Sequence, residues 1–439
     1  EAGKGGTTSA PYSSGQYNVA MGYKALTGFT TGDNNIAIGY QAADSLTTAD
    51  MVIAIGDNAL QSLTTGGYGV AIGRQAMQAE TGGATDFVSI GNLSGQYQNI
   101  GAAAYNTYVG HTAGRQNRVG TNNTYIGHSA GENRRGSANT AVGQGAMENL
   151  TFGTNNVAVG IAAMSYTSGS YNAVVGAYAG RFATGSYNTF MGYEAGVGGT
   201  TSAPYSSGVK NIAVGYQALT GFTTGEQNIS VGYQSLKAVT TGDGNIAIGS
   251  NTGDNITTSN ENTIIGYRAA ESYDVGSSNT FLGSYAGKDW GATQTNHCVV
   301  IGANAGYDPD GTEATGATLV GAYAGYQGAG NSTAIGYYAA GYATGSNNTF
   351  VGYEAGKGGT TSAPFSSGAD NAAVGAYALD HFTTGTKNVA LGRSAGTAVT
   401  TGFANVYIGY NSGYYATTGR GNVAVGSSNQ AGASGQTTG

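Results

Sequence analysis

The chain has little of what usually holds a small protein together or carries out its chemistry. It contains 1 cysteine, so disulfide bonds do not maintain its fold. Only 9% of its residues are charged and no basic block occurs, which argues against a nucleic-acid partner. A run of 18 or more apolar residues is also missing, so the sequence predicts no membrane insertion. The 4 prolines are too few for a proline-rich linker or for collagen.

Glycine is abundant instead, with 79 copies, and part of it recurs in register. Twenty-four glycines that follow Ile, Val, Leu or Met stand in one recurring phrase, and 12 of the 23 intervals between them equal that from Gly22 to Gly39. A fixed short period predicts a solenoid, in which each copy is one coil stacked on the last. We therefore expect an all-β parallel β-solenoid (a β-roll) of about 24 short coils with a preferred period of 17 residues. Representative members of these corner glycines are Gly22, Gly39, Gly127, Gly215, Gly249 and Gly409.

The positions around each corner glycine have constant chemistry. The aliphatic residue before it and the residue two further back alternate as in a strand, so we expect the former to face inward. Alanine stands three after it in 19 of 24 copies, which indicates a tight space. Asparagine stands four before it in 18 of 24 copies. Asn at one place in successive coils predicts a stacked ladder that satisfies buried polar groups, with Asn18, Asn35, Asn123, Asn156, Asn211, Asn245, Asn279 and Asn405 as members.

The repeat runs through the whole sequence, so residues 1–439 are expected to form one continuous solenoid shaft. Residues 1–8 repeat residues 354–361, which indicates a segment of a longer chain. Long intervals predict enlarged loops, which also hold the prolines and so leave the strand ladders intact. These loops lie around 3–16, 196–209, 283–321 and 356–369.

Each coil has too few inward apolar residues to stand by burial alone. Three or four such side chains, at roughly 1.5–3 kcal/mol each, fall short of the roughly 1–2 kcal/mol of backbone entropy lost for each ordered residue. A second buried surface would help, and the 32 tyrosines often follow the corner glycine. We therefore favour a homotrimer, while a monomeric solenoid stays open.

The phrase Asn-Ile-Ala-Ile-Gly-Tyr-Gln-Ala at 35–42 resembles the head repeats of trimeric autotransporter adhesins, which form a left-handed parallel β-roll in a trimer. Longer coils with Thr-Thr-Gly, such as residues 30–39, are similar to repeat regions of bacteriophage tail fibres. The resemblance covers essentially the whole chain. It departs from the adhesin head in coil length, because the adhesin repeat is shorter than the coil preferred here.

The best functional hypothesis is the structural shaft of a bacteriophage tail fibre, extracellular on the virion, which gives reach. Its partners would be copies of itself, other virion tail proteins and a host-surface polysaccharide. The alternative is an adhesin head on a bacterial surface. Tyr40, Tyr193, Tyr216, Tyr233 and Tyr353 are the candidate glycan contacts, although their rings equally suit packing between coils or chains. A third possibility, an ice-binding solenoid, rests on paired threonines such as Thr47–Thr48.

Candidates for chemistry are few. His111 and His128 follow corner glycines one coil apart and are the candidate metal ligands, but the same place elsewhere holds residues typical of a solvated surface. Cys298 replaces a ladder asparagine beside His297, and neighbours on a strand face opposite sides. Asp380–His381 is interpreted as loop drift, and the calcium-like Asp308–Gly311 segment occurs once. We expect no enzyme activity, no cofactor and no metal.

Overall fold

A computed structural model describes residues 1–7, 12–81, 83–100, 103–133, 135–149, 152–201, 205–290, 296–307, 315–327, 330–361 and 365–428. The four prolines and the Asp308–Gly311 segment lie outside the described residues. The protein divides into two compact units, Glu1–Thr224 and Gly225–Gly439. Within the described ranges there are strands, turns and bends but no α-helix, and hence no helix long and apolar enough to cross a membrane.

The described residues of the first unit contain twelve strands, and each one pairs in parallel with the next along the chain. Equivalent residues of successive coils lie side by side, as Val19, Ala20 and Met21 do with Ile36, Ala37 and Ile38. The strands are β1 Val19–Met21, β2 Ile36–Ile38, β3 Asp50–Ile55, β4 Gly66–Ile72, β5 Ala84–Ile90, β6 Thr107–Val109, β7 Thr124–Ile126, β8 Thr140–Val142, β9 Val157–Val159, β10 Ala173–Val175, β11 Thr189–Met191 and β12 Ile212–Val214.

The second unit repeats this arrangement with twelve strands of three residues each, again parallel and paired in chain order. The predicted fold class, an all-β parallel β-solenoid with the expected coil period, is thereby confirmed. The strands are β13 Ile229–Val231, β14 Ile246–Ile248, β15 Thr263–Ile265, β16 Thr280–Leu282, β17 Val299–Ile301, β18 Thr318–Val320, β19 Thr333–Ile335, β20 Thr349–Val351, β21 Ala372–Val374, β22 Val389–Leu391, β23 Val406–Ile408 and β24 Val423–Val425.

The direction of the strand side chains corrects one prediction. The residue directly before the corner glycine faces outward, and the middle residue of the strand is the buried one, as Ala37 is between Ile36 and Ile38. The reason is that side chains alternate between the two faces of a strand. The ladder asparagine and the middle strand residue are two residues apart and therefore share the inner face. The inner face therefore carries the middle residue and the ladder asparagine, and both aliphatic neighbours of the middle residue point away from the core.

The core of each coil is filled by compensating volumes. Six coils carry an aromatic residue in the middle of the strand, and all six have glycine four residues after the corner glycine. A Cβ on Gly131 would lie 2.5 Å from the Tyr125 ring, and one on Gly356 would lie 2.4 Å from the Phe350 ring. Conversely, every coil with Leu or Met at that place has Ala or Ser in mid-strand. A large residue at one position thus requires a small one at the other.

The corner itself accepts only glycine. The corner glycines have φ between 121 and 143°, and a Cβ on Gly39 would lie 2.4 Å from the carbonyl oxygen of Gly56 in the next coil. Further positive φ angles fall on ordinary residues two and four places later, such as Gln41 (φ 52°) and Leu60 (φ 48°). Left-handed backbone costs about 1–2 kcal/mol per such residue. Hydrogen bonds between coils offset it, from Gln41 N–H to Tyr23 C=O (2.8 Å) and from Leu60 N–H to Ala76 C=O (3.0 Å).

Candidate functional site

The asparagine ladder connects each coil to the next through both ends of the amide. Asn123 accepts the backbone N–H of Asn139 at its Oδ1 (3.0 Å) and donates its Nδ2 to the carbonyl of Gly136 (3.0 Å). Asn245 does the same toward Asn262 N–H (3.1 Å) and Ser259 C=O (2.8 Å). The side chain therefore satisfies one donor and one acceptor of the following coil, both at a turn where the strand ladder has not begun.

The structure places all eight predicted ladder residues on this inner face. Asn18 is half-buried and the other seven are buried: Asn35, Asn123, Asn156, Asn211, Asn245, Asn279 and Asn405. The first ladder ends where Asn35 Oδ1 accepts the N–H of Val52 (3.0 Å). In the second unit, Asn279 Oδ1 accepts the N–H of Cys298 (2.9 Å), so the backbone of a non-asparagine residue can complete a rung. The ladder is structural, because its side chains bond to backbone groups of the next coil.

The outward side of the strands is the largest surface that sequence reasoning missed. Both outward strand positions hold only Val, Ile, Leu, Met, Thr or Ala in all 24 coils, without a single charge. Several of these side chains are strongly exposed for aliphatic residues, including Met191, Leu282, Val389 and Leu391 at 40–49% of their full area. Contiguous exposed apolar surface of this kind marks an interaction site. The ladder asparagine and the mid-strand alanine are two residues apart and so share the inner face. This spacing was the sequence signal that could have predicted the outward face.

The predicted tyrosine contacts border this outward face. Tyr40, Tyr193, Tyr216, Tyr233 and Tyr353 are exposed by 42–50%. Within the first unit, Tyr40 stacks on Tyr23 at a ring-centroid distance of 5.3 Å, and Tyr193 stacks on Tyr216 at 5.4 Å.

In the second unit, Tyr353 lies between Tyr337, stacked at 5.3 Å, and Tyr377, edge-on at 5.3 Å. A hydrogen bond with Glu354 raises the pKa of Tyr353, as one with Glu194 raises that of Tyr193. The rings thus cover much of one another's faces, and their edges and hydroxyls face solvent. This arrangement offers hydrogen bonds and apolar edges to a partner more readily than an open stacking face.

The two candidate metal ligands are neighbours. The rings of His111 and His128 stack at 5.1 Å, and both side chains are exposed. Across the described residues, no group of three or more His, Cys, Asp or Glu side chains is placed to hold a metal ion. Two exposed imidazoles lying ring over ring present their nitrogens side by side, which is a poor arrangement for a closed coordination shell.

Cys298 and His297 face opposite sides of the chain. Cys298 is buried and burial raises the pKa of its thiol, whereas His297 is exposed and has a φ of 61°. A raised pKa lowers the thiolate fraction, so this thiol is less nucleophilic than a free one. Asp380 and His381 approach to 3.6 Å between Oδ2 and Nδ1 at the surface, and burial raises the pKa of the Asp380 carboxyl.

The two threonines of a pair have different environments. The first threonine of each pair bonds to the backbone of the next coil, as Thr47 Oγ1 does to Thr64 C=O (2.8 Å). The second, such as Thr48 or Thr65, is exposed. One exposed threonine in each of these coils makes a single narrow row.

No protein-family model matches the chain, and no curated protein matches it either.

Proposed function

We propose that this chain is the shaft of a fibre, assembled as a homotrimer through its outward strand face, and that the fibre is a bacteriophage tail fibre. The observation that carries the proposal is the uncharged outward face, made of aliphatic residues and threonine, that recurs in every coil. Water contact with these side chains is unfavourable by about 25 cal/mol per Å² of apolar area. Identical faces at identical spacing let copies of the chain bury this area in register, coil against coil.

Self-association explains the face better than a different partner does. A foreign protein would need its own matching repeat, since an uncharged outward pair with at least one aliphatic residue recurs at each strand spacing of about 4.8 Å. A second and third copy of the same chain supply that repeat without further requirement. The number three, and the placement on a virion, come from the resemblance to adhesin heads and phage fibres described above. The tyrosine edges beside the face remain the proposed contacts with host-surface glycans.

Immunogold electron microscopy tests the assignment to a virion. Antibodies raised against this chain are expected to label the tails of phage particles produced by the source culture. Labelling of the bacterial envelope in uninfected cells would contradict the tail-fibre assignment and favour the surface-adhesin alternative. Pre-absorbing the antibody with the purified chain is the matched control, because it removes specific labelling of either kind.

A further inference from the structure

A groove of about 310 Å³ in the first unit lies on the turns that follow β10 and β11. Its lining combines aromatic, cationic and acidic side chains: Tyr178, Arg181, Phe182, Tyr193, Glu194 and Val197. None of these residues belongs to the asparagine ladder, and only Tyr193 was singled out from the sequence. The groove is partly open, since its side chains range from half-buried to exposed.

Phe182, which lines the groove, is the middle ring of a short aromatic stack. Tyr166, Phe182 and Tyr205 contribute one ring per coil, with centroids 5.5 Å apart between the first two and 5.8 Å apart between the last two. Tyr178 and Tyr193 also line the groove and pack edge to face at 6.0 Å. Apolar C–H faces of pyranose rings pack against such aromatic walls, while their hydroxyls bond to the polar groups between them.

Arg181 lies between these rings without an anionic partner. Its guanidinium carbon is 5.1 Å from the Phe182 centroid, 5.4 Å from Tyr178 and 5.8 Å from Tyr166. Its Nε is buried and makes no hydrogen bond, and no carboxylate in the described ranges comes within 4.0 Å of the guanidinium. Cation–π contacts hold the group in place and do not use its in-plane N–H donors.

The nearby carboxylate is already engaged. Glu194 accepts a hydrogen bond from Gln217 Nε2 at 2.7 Å, and its hydrogen bond with the hydroxyl is the main cause of the raised pKa of Tyr193. These two contacts engage Glu194 with Gln217 and Tyr193, and within the described residues it forms no ion pair with Arg181. The groove therefore contains one uncompensated cation beside stacking surfaces.

We propose that this groove binds an acidic saccharide, with Arg181 pairing with the carboxylate of a uronic or similar sugar acid and the aromatic walls packing on its ring. The inference deepens the proposed function, on which it rests for the expectation that the fibre contacts glycans. It differs in placing the contact in one groove, which includes Tyr193, rather than along the whole row of tyrosines beside the strand face.

A sister module in the second unit provides an internal comparison, since both modules carry the phrase Gly-Gly-Thr-Thr, at 198–201 and at 358–361. The aromatic residues of the sister module are retained as Tyr338, Tyr342 and Phe365, but Gly341 stands where the first module has Arg181. Its cation is Lys357, whose Nζ is 2.8 Å from Glu354 and 5.7 Å from the Tyr338 centroid. That charge is compensated internally, so we assign the acidic-saccharide site to the first module alone.

Isothermal titration calorimetry of the purified chain with trigalacturonate tests the proposal. Trigalacturonate is expected to bind, and its methyl ester, which keeps the rings but lacks the charge, to bind at least about tenfold more weakly. Arg181→Gly copies the sister module and is expected to reduce trigalacturonate binding to the level of the ester. Arg118→Gly, which removes an exposed arginine of the same unit, is the matched control and should bind normally. Circular dichroism checks that each variant is folded.

Equal binding of acid and ester, unchanged binding by Arg181→Gly, or no binding at all would each overturn the proposal. Displacement of trigalacturonate by equimolar inorganic phosphate would overturn it as well, because it would indicate a general anion site without saccharide selectivity. Light scattering on the same samples separates this inference from the proposed function. An assembled chain that fails to bind refutes only the saccharide site, while a monomeric chain that binds refutes only the association.

Discussion

Two regions of the first unit treat the same inner position in different ways. In the coils of β6–β11 that position holds a ladder asparagine, and each strand has three residues. In the coils of β3–β5 it holds Val52, Gly69 and Phe87, and the strands have six or seven residues. Strand pairing there extends upstream, with Val52 opposite Gly69 and Gly69 opposite Phe87. The backbone groups of the turn are thus satisfied either by hydrogen bonds with an asparagine side chain or by an extension of the strand pairing.

A left-handed residue directly before the inner position is common to both regions. The residue preceding the inner position has a φ of 55° at Tyr68 and 58° at Asn122. Loss of asparagine alone does not lengthen a strand, because β17–β19 follow Cys298, Ala317 and Ser332 and keep three residues each. In β4 and β5 the added feature is complementary packing: the ring of Phe87 occupies the space beside Gly69, where a Cβ would lie 2.1 Å from its Cζ.

The largest effect is expected at the corner glycine, where the two regions should not differ. Gly56→Ala, between β3 and β4, and Gly127→Ala, after β7, each place a Cβ 2.5 Å from the carbonyl oxygen of the next corner glycine. Strained backbone and overpacking together should cost about 3–5 kcal/mol in either region. Urea unfolding followed by circular dichroism measures this cost. A normal midpoint for one variant alone would show that the two regions have different corners.

The second effect concerns core volume in the asparagine region. Tyr125→Ala should cost about 3–5 kcal/mol through the cavity it leaves. Gly131→Met should also destabilise, because its side chain would meet the Tyr125 ring. The double variant recreates the pair of Ala141 and Met147 in the next coil. The backbone at Met147 has a φ of 53°, which is similar to that at Gly131. A double-mutant cycle by urea unfolding should show that the double variant costs less than either single change, and additive costs would refute volume compensation.

How much of this followed from the sequence can be judged from these residues. The period, the parallel coils, the corner glycines and the inner asparagines were predictable because each has a fixed chemical requirement in every copy. The orientation of the strand was predicted wrongly, because aliphatic residues flank a mid-strand alanine and alanine carries little hydropathic signal. The positive φ at Leu60 and Gln41 had no signal, since the residue types vary and the angle depends on stacking between coils. Arg181 was missed because its surroundings depend on stacking between coils, as its contact with Tyr166 of the preceding coil shows.

The third effect separates the two regions. Asn139→Ala removes the acceptor for Asn156 N–H (3.0 Å) and the donor to Gly153 C=O (3.0 Å), and should cost about 1–3 kcal/mol. Gly69→Asn adds an asparagine at the equivalent place in the other region, where the Phe87 ring occupies the space, and should also destabilise. Thermal unfolding of both variants measures this. Stabilisation by Gly69→Asn would show that the longer strands are merely an incomplete ladder.

The smallest effect on folding is expected at the outward face, again in both regions. Ile55→Lys and Val159→Lys should change the stability of a single chain by less than about 0.5 kcal/mol, since surface changes usually do. They should nevertheless disrupt association by placing charge in the proposed interface. Asn155→Lys is the matched control, because the equivalent position in other coils holds lysine, as Lys210 and Lys387 show. Sedimentation velocity distinguishes the variants. An unchanged profile for both Ile55→Lys and Val159→Lys would place the interface elsewhere.

The most direct test of the account is the solution mass of the unsubstituted chain by multi-angle light scattering. The outward aliphatic face is explained here by burial against identical copies, so a mass of three 43.8-kDa chains is predicted across a dilution series. A mass of one chain at every concentration would contradict that explanation. The exposed Val, Ile, Leu and Met residues would then be a surface that the fold itself leaves open to solvent.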